Sequence, residues 1–257
     1  MKNIKLLAII NTLGLILALV LNGLANALPI NGKTTGELSD AYPNLFVPTG
    51  FTFAIWGVIY LTLFVFIVYQ LIQAFSKGGN AQDFLPKISW FFLLSCIANA
   101  SWIVAWHYQY LIVSLVIMLC ILFTLIMIYQ RLEIGLKSVP TAQKWLVHIP
   151  FSIYLGWITV ATIANTTALL VDLGWNGFSI SPEIWTVIVL IVGTLIGLTM
   201  TQKRNEIAYG LVIIWAYYGI VFKRMDLGAD LYNSIVMTAI IGMVLITFAI
   251  IRNLRKI

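Results

Sequence analysis

Long apolar runs alternate with short polar breaks along the whole chain. Crossing the hydrocarbon of a bilayer takes about 20 apolar residues in a helix, and such runs fall at roughly residues 4–28, 49–76, 88–107, 109–130, 145–170, 182–201, 207–222 and 231–251. The pattern predicts an all-α, polytopic membrane helix bundle of about eight transmembrane helices, the seventh being the shortest. The third and fourth runs are separated only by the turn near "WHYQY", which makes them an antiparallel hairpin. The longest break, "PINGKTTGELSDAYPNLFVP", has turn formers at Asn31-Gly32 and Pro43-Asn44 and is expected to fold over the mouth of the bundle.

Composition agrees. The chain of 257 residues is 61% hydrophobic and 9% charged, a balance that excludes a water-soluble domain with its own core. The net charge of +6 is explained by topology rather than by nucleic acid, because Lys and Arg collect in cytoplasmic loops and no basic cluster is dense enough for nucleic-acid binding. With the N-terminus inside, Lys2, Lys5, Lys77, Lys87, Arg131, Lys137, Lys144, Lys203, Arg204, Arg252, Arg255 and Lys256 are cytoplasmic. Lys33, Lys223 and Arg224 fall outside, together with most of the acids: Glu37, Asp40, Asp172, Glu183, Asp226 and Asp230. The expectation is a multi-pass protein of the plasma (cytoplasmic) membrane with both termini cytoplasmic. The first 27 residues also mimic a signal peptide, ending in Ala25-Asn26-Ala27; they are read as an uncleaved first helix.

Intramembrane polar groups carry the chemical information, since an unpaired amide in hydrocarbon must face protein, water or a ligand. Asn22 and Asn26 share a face near the outer end of the first helix. Asn99, Trp102 and Trp106 share a face of the third, and Trp157, Ala161 and Asn165 a face of the fifth. Phe53, Trp56 and Tyr60 descend the second helix from the same outer side. At 1.5 Å per residue, Trp56 and Asn99 both lie about 12 Å below the outer boundary. The faces and depths predict an aromatic-lined cavity beneath the first loop. The plainer alternative is that the Asn residues bond helix to helix. Trp90, Trp106, Trp145, Trp175 and Trp185 read as an interfacial belt, and His107 and His148 as interfacial. Cys96 and Cys120 read as small apolar side chains; no spacing suggests a metal site.

These residues resemble the TspO/MBR family, the tryptophan-rich sensory proteins related to the mitochondrial translocator protein, over roughly residues 1–175. The family's second-helix pattern "PPxWVFxxxWxxLY" is similar to "VPTGFTFAIWGVIY", which keeps the spacing from Pro48 to Trp56 to Tyr60. Its "NxxW" is matched by Asn99 and Trp102, and its "PYxxWxxxAxxxN" by Pro150, Trp157, Ala161 and Asn165. Three features depart from it. The family has five helices, its paired Trp of the first loop is replaced by Asn44 and Leu45, and Pro150 precedes Trp157 by seven positions where the family has four. The resemblance implies a five-helix core at 1–175, followed by a three-helix extension at 176–257. It also implies a pocket for porphyrins and drug-like ligands lined by Trp56, Asn99, Trp157 and Ala161, with Phe53, Tyr60, Trp102, Asn165 and Asn26 around it.

The function expected is a membrane sensor or carrier for a flat hydrophobic molecule such as a tetrapyrrole, with membrane lipid as its other partner. The alternative is a facilitative transporter, since no Asp, Glu, Lys or Arg sits in a helix centre to couple an ion. An enzyme is not expected: no nucleophile–base pair or carboxylate dyad lies in the membrane. Only indole-mediated porphyrin breakdown, implied by the resemblance, stays open. Gly193 and Gly197 form a small-xxx-small step in the sixth helix, where the extra helices pack on the core or set a homo-oligomeric state.

Overall fold

The computed structural model describes residues 3–28, 30–228 and 232–255; Lys2, Asp230 and Lys256 of the charge argument lie outside the described residues, as does the side chain of Asn26. All regular structure among the described residues is helical: α1 (Ile4–Ala27), α2 (Thr35–Asp40), α3 (Ile55–Phe75), α4 (Leu85–Ile88), α5 (Phe91–His107), α6 (Leu111–Arg131), α7 (Thr141–Gln143), α8 (Ile149–Asp172), α9 (Pro182–Arg204), α10 (Ile207–Asp226) and α11 (Asn233–Leu254).

Among the described residues seven spans are long and apolar enough to cross a bilayer; the segment Ala81–Ile88, which includes α4, forms an eighth with α5 only as a pair bent by 51°. The bend lies at Ser89, whose φ of 53° is left-handed, so the third predicted run is not one straight helix from 88. The seventh run is longer than the sequence indicated, reaching Asp226. A π-helical turn at Lys144–His148 feeds α8 and lets Pro150 sit in the first turn, where its missing N–H costs nothing.

Direction alternates through the bundle. Lys223 at the end of α10 reaches Asp40 of α2, and Asn31 donates to the His107 carbonyl at the end of α5 (3.1 Å). At the opposite end Arg204 donates to the Ile134 carbonyl (3.1 Å) and Arg131 to that of Pro86 (3.2 Å). The helices α1, α3, α5, α6 and α8 form one body; α10 packs on α8, and α9 and α11 pack on α10 and each other.

Lipid tails are as apolar as leucine, so helices in a membrane associate through close packing and hydrogen bonds rather than through water release. Gly193 and Gly197 supply such packing: a Cβ on Gly193 would lie 2.5 Å from the Tyr217 hydroxyl of α10, and one on Gly197 2.9 Å from Ile246 Cδ1 of α11. The small-xxx-small step therefore faces neighbours within the chain.

The first loop does fold over one end of the bundle, and it carries a helix the apolar pattern does not reveal. Thr34 and Glu37 cap α2 reciprocally: the Thr34 backbone N–H (2.7 Å) and hydroxyl (2.9 Å) donate to Glu37 Oε2, and the Glu37 backbone N–H donates to Thr34 Oγ1 (3.4 Å). These bonds hold the Glu37 carboxyl below its usual pKa.

Candidate functional site

The sequence-predicted aromatic face exists as one connected cluster below α2. Trp56 stacks on Tyr60 with centroids 5.4 Å apart, and contacts Trp102 (6.2 Å), Tyr154 (6.2 Å) and Trp157 (6.3 Å). Phe53 meets Trp157 edge-on at 6.0 Å. Phe53 lies in the 3-10 turn Gly50–Ala54 ahead of α3, whereas Trp56 and Tyr60 lie on α3 itself.

Beneath the rings, the amides tie helices together. Asn99 of α5 accepts from Asn22 of α1 (2.7 Å) and from the Tyr60 hydroxyl of α3 (3.2 Å), and donates to the Tyr154 hydroxyl of α8 (3.1 Å). Asn165 of α8 accepts from the Trp102 indole (2.9 Å) and donates to Ser114 of α6 (3.0 Å). One amide thus joins four helices and the other joins three, which is the inter-helix use of intramembrane Asn.

Two spaces flank the aromatic wall. The larger, about 680 Å³, lies between the end of α1, α2 and the start of α3; Asn22, Thr35, Glu37, Phe53, Trp56 and Tyr60 border it. The smaller, about 30 Å³, lies on the other side and is bordered by Trp102, Trp106, Trp157, Ala161 and Asn165, with Thr35, Phe53 and Trp56 shared between the two. Two buried polar groups at the smaller space have no partner among the described residues: the Trp157 indole N–H and the Thr35 hydroxyl. Of the predicted residues, Trp56, Phe53, Trp157, Ala161, Asn165 and Trp102 come together around these spaces, Tyr60 borders only the larger, and Asn99 lies below both.

A sequence model of the family described as TSPO-like protein matches residues 8–252. The chain belongs to the TSPO-like family. Comparison with curated proteins and with solved structures finds no match. This TSPO-like chain is an integral, multi-pass membrane protein. The match runs well past residue 175, where the motif resemblance ends, so α9, α10 and all but the end of α11 fall inside the family's span.

Several site features were missed in the sequence. Tyr154 completes the aromatic cluster from the turn of α8 preceding Trp157; spacing of i, i+3 could have flagged it. Thr35 and Glu37 reach the cavity because α2 exists, and the signal was the Thr34-x-x-Glu37 capping box. Trp106 is not a belt residue: it is buried, stacks on Trp102 at 5.7 Å and donates to the Thr35 carbonyl (3.4 Å). His107 and His148 are buried rather than interfacial, the first because its Nδ1 bonds the Ile103 carbonyl (2.7 Å) under the first loop. Trp90 and Trp145 are exposed, as belt residues are. Cys96 and Cys120 are unpaired, and no metal-binding group occurs among the described residues.

Proposed function

We propose that this TSPO-like protein binds a flat, hydrophobic small molecule of tetrapyrrole type in the cavity under α2, as a sensor or carrier. The observation that carries the reading is the wall of Phe53, Trp56 and Tyr60 facing a cavity of about 680 Å³, within the range of about 300–1,000 Å³ usual for small-molecule sites. A planar ring system laid on this wall gains stacking on the indole, while Asn22 and the α2 residues supply a polar edge. Asp40 on the rim is neutralised by Lys223, which leaves Glu37 as the charge that favours a ligand neutral or cationic at that edge, so carboxylate groups of a porphyrin point elsewhere.

The small void behind Trp56 extends the reading. A carbonyl or ring nitrogen reaching it after rotation of Phe53 or Trp56 would meet the unpaired Trp157 N–H and Thr35 hydroxyl, both of which lack acceptors or donors in the described protein. The basic residues gather at the end opposite α2, which supports a cavity in the outer leaflet and termini in the cytoplasm.

Quenching of tryptophan fluorescence by protoporphyrin, on purified protein in detergent, tests this. Stacking contributes about 0.5–1.5 kcal/mol beyond burial, so Trp56→Ala weakens binding about tenfold once the lost area is included. Lys33→Ala changes little. Equal quenching by wild type and Trp56→Ala, or binding that salt abolishes, identifies surface adsorption and removes the proposal.

A further inference from the structure

A second cavity, about 670 Å³, lies on the far side of α8, between its last half and the first half of α9, and is separate from the aromatic wall described above. α9 packs on α10 and α11 rather than on α8, and the space left between α8 and α9 is the wedge. Ile163, Leu170, Val189 and Val192 line it, and Ile188 and Val192 are themselves exposed on the lipid-facing side. Its lining runs from Thr162 to Val171 on α8 and from Pro182 to Val192 on α9, about 14–15 Å at 1.5 Å per residue. That is about half of a hydrocarbon core of 30 Å, or one leaflet.

The threonine hydroxyls of its lining are satisfied within their own helices. The Thr162, Thr166, Thr167 and Thr186 hydroxyls each donate to a carbonyl of their own helix, at 2.7, 2.8, 2.8 and 2.8 Å. The hydrogen of each of these four hydroxyls is therefore already used within its own helix. Asn44 at the rim donates to the Tyr42 carbonyl (2.9 Å) and accepts from the Phe46 N–H (3.1 Å), and the Asn176 carbonyl accepts from the Phe178 N–H (3.1 Å). The upper end is closed by Trp175 and Trp185, 5.2 Å apart, with Trp185 fixed by its indole bond to the Gly177 carbonyl (2.9 Å). Indoles at such a boundary mark the level of lipid headgroups.

From this geometry we infer that the wedge between α8 and α9 is a binding site for one hydrocarbon chain of a membrane lipid, held by shape without headgroup selection. Left empty, the apolar walls of this space forfeit dispersion contacts. The bilayer supplies a chain through the open side, of the length one leaflet provides.

The test uses the full-length protein reconstituted in phosphatidylcholine vesicles that contain a phospholipid with a diazirine on its acyl chain, followed by irradiation and peptide mass spectrometry. Adducts are expected concentrated on 162–171 and 186–192, in equal yield with phosphatidylcholine and phosphatidylglycerol probes. Thr166→Trp, which fills the wedge, lowers those adducts at least fivefold and leaves labelling at the lipid-exposed Phe248 unchanged. Val192→Phe, on the exposed wall, gives the same loss if Thr166→Trp does not fold. Labelling spread evenly over all lipid-facing helices, yields that depend on headgroup, or adducts unaffected by either folded variant would overturn the proposal.

Discussion

Asn22 of α1 donates a 2.7 Å hydrogen bond to Asn99 of α5, 77 positions further along the chain. The same Asn99 amide is bonded to Tyr60 and Tyr154, so the residue that holds the floor of the cavity also fixes the spacing of the helices that form its walls. Shape of the cavity and stability of the bundle are therefore coupled through one side chain.

Replacing that amide has a defined cost. Asn99→Leu leaves the Tyr60 and Tyr154 hydroxyls short of a partner in an apolar setting, whereas Asn22 keeps its bond to the Ala18 carbonyl (2.9 Å); each unmade bond costs about 1–3 kcal/mol if the group stays buried and unpaired. Partial re-pairing of the two hydroxyls brings the expected loss to about 2–4 kcal/mol, read as a lowered midpoint of unfolding in mixed detergent micelles. A midpoint equal to wild type would show that Asn99 does not join the helices.

The two indoles of the cluster are expected to respond oppositely. Trp102→Phe breaks the bond to Asn165, whereas the Trp157 N–H has no partner to lose. Trp102→Phe is therefore less stable than Trp157→Phe by about 1 kcal/mol, the net value of one hydrogen bond. If the void receives a polar ligand atom, Trp157→Phe instead weakens protoporphyrin binding while leaving thermal stability nearly unchanged.

Capping of α2 predicts a local effect. Thr34→Ala removes the hydroxyl that bonds Glu37, and a lost N-cap shifts a helix–coil balance about fivefold. Amide exchange at Leu38–Ala41 should quicken by about that factor, with the global unfolding midpoint unmoved. Acidification mimics it: a carboxyl whose pKa is lowered in the folded state contributes stability above its ordinary range, and that contribution is lost as pH falls through the folded value. Exchange that is unchanged in Thr34→Ala would mean that the bundle, not the cap, holds α2.

Glu206, between α9 and α10, has the opposite sign. Burial beside the Ser152 hydroxyl raises its pKa above 4.5, against the opposing pull of the bond to Ser152 and of Lys144 and Arg204. The folded protein then binds the proton more tightly than the unfolded chain, so stability is fully present below the ordinary carboxyl pKa and declines as pH rises through the raised folded value. Glu206→Gln, which keeps an acceptor for Ser152, flattens that decline and is the more heat-stable protein at pH 7. A pH profile identical to wild type would rule Glu206 out as its source.

Much of this molecule was legible from periodicity alone, because in a bilayer every backbone group must be satisfied within its own segment, and apolar length then specifies helix number and place. Helical spacing likewise put Trp56 and Tyr60 on one face and assigned Asn99 and Trp102 to another, since those relations are internal to one helix, whereas Phe53 joins the first face from a 3-10 turn that the spacing did not reveal. What each face meets is settled between helices. Asn99 became the joint of four helices, Trp106 turned under the first loop and His107 was buried there, none of which a spacing rule can decide. The division of the space around Trp56 into one large cavity and one small void, and the wedge left between α8 and α9, arise from how the helices pack. Only the tertiary arrangement sets those distances, because the contacts that close or open a cavity are made by side chains whose separation along the chain carries no periodic signal.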